Sequence, residues 1–158
     1  WARVVAFDGP ARAPIDASAL ATCPPDQLRL RLQPHITLLE LTFPIDRLLA
    51  QLKNSSADAS TASNAIAGAR AARRRRLSAR PARKPIYLAV HRVDCSVYYK
   101  RLKPEAFRLL TALQQGETLG SACELAFFDA AAPQKKAAAL VQNWFARWTR
   151  FGWLCGAD

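Results

Sequence analysis

Apolar residues recur along this chain with two different periods. Trp1, Val4, Val5 and Asp8 stand at helical spacing, which predicts a helix over 1–8 with no capping residue ahead of it. Gly9 and Pro10 break that pattern, and Asp16 is suited to cap a short helix running through Cys23 before Pro24 and Pro25 interrupt it. The period then changes to two. Leu28, Leu30 and Leu32 alternate with Arg29, Arg31 and Gln33, and after Pro34 the run Ile36 to Phe43 is rich in leucine and β-branched residues. Pro34 makes this either two strands or one strand with a bend. Pro44 opens a short helix with Ile45, Leu48, Leu49 and Leu52 on one face.

The second half carries the clearest pattern. Ile86 to Arg92 and Ser96 to Arg101 read as two strands joined through Val93, Asp94 and Cys95, a hairpin. Pro104 starts a helix with Ala106, Leu109, Leu110 and Leu113 on one stripe, and Gly116 is placed to end it. Thr118 caps the next helix, to about Phe128. From about Gln134 to Arg150 a longer helix carries Ala137, Leu140, Val141, Trp144, Phe145 and Trp148 on one stripe, with Gln142, Asn143, Arg147 and Arg150 away from it. Gly152 stops that helix, and Trp153 to Cys155 suit a last short strand. The expected class is α+β: a small antiparallel sheet with a hairpin followed by three helices, winged-helix-like, although here the hairpin precedes the helices.

Composition changes sharply in the middle of the chain. From Asn54 to Pro85 only Ile66 and Leu77 are large apolar residues among Ser, Ala, Asn, Gly and Arg. Such a stretch buries too little surface to offset its ordering entropy, so 54–85 is expected to be a disordered basic insertion that splits one domain. The expected organisation is therefore 28–53 with 86–158 as one α+β domain, preceded by 1–27 as linker helices. The chain opens on Trp1 and contains no methionine, which is expected of a fragment whose N-terminal helical domain lies elsewhere.

Charge adds to this picture once it is located. The net charge is +11, but nine of the 23 basic residues and one of the 12 acids lie between Lys53 and Lys84. That leaves 14 bases against 11 acids, +3, for everything else. The basicity belongs to the insertion, where Arg73, Arg74, Arg75 and Arg76 form the densest run; nucleic-acid binding, if present, is expected there, sequence-blind and steeply salt-dependent. No stretch approaches the roughly 20 apolar residues of a membrane span, and no signal-peptide order opens the chain, so a cytoplasmic protein is expected. Cys23, Cys95, Cys123 and Cys155 are far apart in sequence and read as reduced thiols, mostly filling the core. His35 and His91 sit in strands or at a strand bend, and the carboxylates are scattered, Glu117 and Glu124 being the closest partners. No catalytic, cofactor-binding or metal-ligating set can be nominated, and the expected activity is recognition without catalysis.

A resemblance covers nearly all of the chain outside the insertion. Ile86-Tyr-Leu-Ala-Val-His-Arg92, Val97-Tyr-Tyr-Lys-Arg-Leu-Lys-Pro-Glu-Ala-Phe-Arg-Leu-Leu-Thr-Ala-Leu113 and Gly116-Glu-Thr-Leu119 resemble the C-terminal domain of the HvfC/BufC family. Its members are often labelled DNA-binding domain proteins and include relatives of the methanobactin accessory subunit. Trp1 to Asp8 and Leu30 to Leu39 look like the same family's linker helix and first strands. The chain departs from the family pattern at Gln33, Pro34 and His35, where histidine, proline and serine are usual, so no role is carried over to His35. The resemblance implies an accessory subunit that docks on a metal-dependent barrel oxygenase and helps hold the leader of a ribosomally made precursor peptide. The alternative takes the DNA-binding label at face value. For a peptide added to a sheet edge, the hairpin residues His91, Arg92, Lys100 and Arg101 are the candidate contacts.

Overall fold

The structure is a computed structural model that describes residues 1–15, 18, 22–47, 82–129 and 134–156. The proposed cap at Asp16 and the Arg73 to Arg76 run lie outside the described residues, as does nearly all of the 54–85 insertion. The chain divides into two compact units, one of Trp1–Leu39 with Tyr87–Asp158 and one of Glu40–Ile86. In the second unit the described residues include a turn at Phe43, where the Ile45 amide donates to the Phe43 carbonyl, and a bond from the Lys84 amide to the Thr42 carbonyl.

The fold is α+β. Its elements in chain order are α1 (Ala2–Asp8), β1 (Leu30–Leu32), β2 (Thr37–Leu41), β3 (Ile86–Val93), β4 (Ser96–Leu102), α2 (Pro104–Gln114), α3 (Leu119–Phe127), α4 (Gln134–Arg150) and β5 (Leu154–Gly156). The strands form two antiparallel groups: β1 with β5, and a three-stranded sheet in the order β2-β3-β4. Residues 1–15 belong to the same unit as β1 and the helices, with Ala6 fully buried and Ile15 packed on the core.

Local sequence accounts for the helix ends. Pro104 occupies the first turn of α2, where its missing N–H has no partner to lose. Gly116, at φ 91, follows the C-cap of α2 in a conformation open to glycine. Thr118 caps α3 by accepting a hydrogen bond from the Ser121 amide at 3.3 Å.

One core gathers the apolar stripes. Leu28, Leu30 and Leu32 meet Leu109, Leu110 and Leu113 of α2, Ala122 and Ala126 of α3, Phe145 and Trp148 of α4, and Trp153 and Leu154 beside β5. Phe127 of α3 stacks parallel on Trp144 of α4 at 5.9 Å between ring centres, and Trp144 continues the stack to Trp148. Both α4 tryptophans thus serve packing, Trp148 buried and Trp144 half-buried. Of the four free cysteines only Cys155 is buried; Cys95 is exposed and the other two are intermediate, so core filling describes one thiol and part of two.

The C-terminal strand holds distant segments together. Leu30, Arg31 and Leu32 of β1 lie opposite Gly156, Cys155 and Leu154 of β5. The Ile15 amide donates to the Leu154 carbonyl, the Gln33 amide donates to the Trp153 carbonyl, and the Cys155 thiol points at the carbonyls of Arg31 and Leu32.

Candidate functional site

The hairpin β3–β4 closes on a two-residue turn, Asp94 and Cys95, with Val93 opposite Ser96. Asp94 takes φ 51, the left-handed region that aspartate tolerates better than most residues. In an antiparallel pair directly opposite residues share a face. His91 opposite Tyr98 and Ala89 opposite Lys100 therefore lie on one face, and Arg92 opposite Val97 and Leu88 opposite Arg101 on the other. The four candidate contacts His91, Arg92, Lys100 and Arg101 do not form one polar surface, because a strand turns successive side chains to opposite sides.

His91 departs furthest from the expected polar face, being 5% exposed. Its ring stacks on Tyr98 and Phe151 and meets the edge of Trp153 at 4.9 Å, and the Lys100 ammonium lies over the Phe151 ring, 6.0 Å from its centre. Among the described residues neither His91 Nδ1 nor Trp153 Nε1 has a hydrogen-bond partner. The reason is the place of β3: it is the central strand of the sheet, and five of its first six residues are buried, so both faces are covered. Arg92, on the opposite face, donates through Nη1 to the Phe7 carbonyl near the end of α1, and Arg101 is exposed.

A second grouping lies at the turn end of the hairpin. A cleft of about 390 Å³ is lined by Arg12, Gln33, His35, Arg92, Asp94, Arg150 and Phe151 together with small and apolar neighbours. Gln33, 3% exposed, fixes one wall: its side-chain amide donates to the Arg12 carbonyl and its Oε1 accepts from the Arg12 amide, both at 2.8 Å. His35 Nδ1 lies 3.3 Å from the Pro10 carbonyl, and since a carbonyl can only accept, the proton is assigned to Nδ1. Three arginines and one aspartate are on the lining of this cleft. Sequence reasoning had no means of assembling them, because Arg12, Gln33, Arg92 and Arg150 come from four segments that share no local pattern.

Both imidazoles are harder to protonate than a free histidine. Burial lowers the pKa of His35; the Pro10 carbonyl offsets part of this and the Arg92 charge adds to it. Burial also lowers that of His91, offset in part by the Arg92 backbone and reinforced by repulsion from His35 and Lys100. The unfolded chain takes up these protons near pH 6.5 while the folded chain resists them. The stability due to neutral burial is thus complete above about pH 6.5 and is lost as pH falls through the lower folded values. Urea midpoints measured between about pH 7.5 and 5 are expected to fall with pH. His91→Phe is expected to flatten that slope, leaving the part due to His35; an unchanged slope would place the proton uptake elsewhere.

Among the described residues no three His, Cys, Asp or Glu side chains lie together as a metal site would require, and no helix is long and apolar enough to cross a membrane. Comparison with family models, with curated proteins and with solved structures gives no match.

Proposed function

We propose that this chain is a non-catalytic recognition module that docks on a protein partner by strand addition at β4. In the fuller form of this reading, the partner is a metal-dependent barrel oxygenase and the added strand comes from the leader of its precursor peptide. The observation that supports docking is the register of the hairpin. A two-residue turn closing on Val93 and Ser96 makes that pair hydrogen-bonded, so the pairs His91–Tyr98, Ala89–Lys100 and Tyr87–Leu102 are hydrogen-bonded as well. The amides of Val97 and Tyr99 then point away from β3, along the outer edge of a sheet in which β4 is the last strand. An edge of this kind supplies main-chain hydrogen bonds to an extended peptide, with alternate side chains giving selectivity. This reading takes β4 as the docking edge, since β3 is paired on both sides.

Co-expression with a barrel oxygenase and its precursor, followed by size-exclusion chromatography, tests this reading. The complex is expected to elute as one species, and Val97→Pro is expected to dissociate it while circular dichroism stays native, because the lost amide bonds nothing in the sheet. Separate elution of folded proteins at micromolar concentration, or a Val97→Pro complex as stable as the parent, counts against strand addition at β4. The second reading, nucleic-acid binding through Arg73 to Arg76, is supported by the concentration of charge in that segment and is separated by its salt dependence.

A further inference from the structure

The cleft at the turn end of the hairpin gathers positive charge from distant parts of the chain. Arg92 is near the end of β3 and Arg150 is the last residue of α4, while Asp94 is the one carboxylate on the lining. Arg108 pairs with Asp129 at 3.3 Å, away from this cleft, and among the described residues neither Arg92 nor Arg150 has a carboxylate in ion-pair range. Arg92 spends one donor on the Phe7 carbonyl, and a guanidinium has five. Gathering like charges is unfavourable unless something of opposite sign completes the group.

The rest of the lining narrows the chemistry. Phe151 and Pro14 give the cleft an apolar wall, and its volume of about 390 Å³ admits an amino-acid side chain with its neighbouring backbone. A carboxylate on a short aliphatic stem matches both features, since guanidinium forks take two carboxylate oxygens and the stem lies on the wall. Inorganic phosphate satisfies the charge and leaves the wall unused.

We propose that this cleft receives a glutamate or aspartate side chain of the peptide that binds the module, with Arg92 and Arg150 on its carboxylate and Phe151 and Pro14 against its stem. The inference rests on the reading of the chain as a peptide-recognition module and names the chemistry of its partner: an acidic peptide. Asp94 opposes the ligand and sets the affinity lower than the arginines alone would give.

Calorimetric titration of the whole chain tests the inference with three probes: an end-blocked peptide containing two Glu–Phe pairs, its twin with Gln for Glu, and inorganic phosphate. The Glu peptide is expected to bind at least about tenfold more tightly than its twin, equivalent to about 1.4 kcal/mol. Arg150→Gln is expected to weaken it about tenfold. Arg147→Gln removes the same charge from an exposed position on α4 outside the lining and is expected to change the affinity less than about twofold. Asp94→Asn is expected to tighten binding about two- to threefold. Equal affinity for the two peptides, or equal loss in the Arg147 and Arg150 variants, would show general attraction to a basic surface and overturn the proposal. Binding of phosphate with no binding of the Glu peptide would also overturn it and assign the cleft to a free oxyanion. If the oxygenase complex forms but the Glu peptide fails, this inference falls alone; if the peptide binds and the complex does not form, the accessory-subunit reading falls and the cleft stands.

Discussion

Replacing Trp153 with alanine is expected to lower the unfolding free energy by about 3–5 kcal/mol, enough to leave a domain of this size marginal at best. Trp153 is 1% exposed and belongs both to the ring cluster around His91 and to the main core. Its ring packs at the edge of His91 and against Phe151, and its residue belongs to the same core cluster as the leucines of β1 and α2. Its backbone carbonyl accepts from the Gln33 amide, so relaxation into the vacated space is resisted from both directions. The loss should combine transferred apolar surface with a cavity that collapses only in part. Trp153→Phe is expected to be much milder, since the indole N–H has no partner among the described residues and its removal relieves a buried polar group. Urea denaturation of both variants checks the pair: equal losses would mean that the indole N–H is hydrogen-bonded in solution and that ring volume is secondary.

Gly9→Ala is the second large effect expected, about 2–3 kcal/mol. The backbone of Gly9 is extended, at φ −62 and ψ 145, so any residue could adopt it; the difficulty is space. A Cβ there would stand 2.5 Å from the Val5 carbonyl oxygen and 3.0 Å from the Cα of His35. Both are backbone atoms, and the Val5 carbonyl already accepts the bond from the Gly9 amide that closes α1. Relief therefore requires moving α1 or the turn bearing His35. Gly116→Ala is the informative contrast. At φ 91 it is conformationally strained, but its surroundings are empty, so its cost is expected to be only about 1 kcal/mol. A Gly9→Ala loss no larger than that of Gly116→Ala would mean that the contact between α1 and the His35 turn yields easily.

The sequence was most legible where one face of an element meets water. On α4 Phe145 and Trp148 are buried while Gln142, Asn143, Arg147 and Arg150 are exposed, the period the apolar stripe predicts. Residues Leu30, Arg31 and Leu32 alternate buried, exposed, buried. On β3 that logic stops. Covered on both faces, the strand has no solvated side to declare, so His91 looks like a polar-face residue in sequence and is buried in the structure. The pairing of β1 with β5 was invisible for another reason: three residues carry too little pattern, and the partner lies more than a hundred positions away. Gln33 shows how the cleft escaped notice. A buried glutamine reads locally as one polar residue in an alternating run; its purpose, holding the Arg12 backbone, exists only once the chain has folded.

The pairing of β1 with β5 also bears on how this chain acquires its structure. The thiol of Cys155 meets the Arg31 carbonyl across 124 positions, and the whole hairpin and all three later helices lie inside that closure. Contacts of such separation form late and slow folding, because chain entropy is lost before the contact can reward it. A ribosome making this protein releases β1 and the core face of α2 well before β5 emerges to complete the sheet edge. For that interval the backbone groups of Arg31 and Gln33 have no strand to bond, and an unpaired edge is a template for other chains. Length itself contributes little to the barrier. Closure entropy grows only as the logarithm of loop size, so the basic insertion, roughly a quarter of the span, adds only about 0.2–0.3 kcal/mol. An ancestor could have gained it without noticeably delaying its own folding, whereas trimming the chain at Trp153 would leave β1 permanently unpartnered.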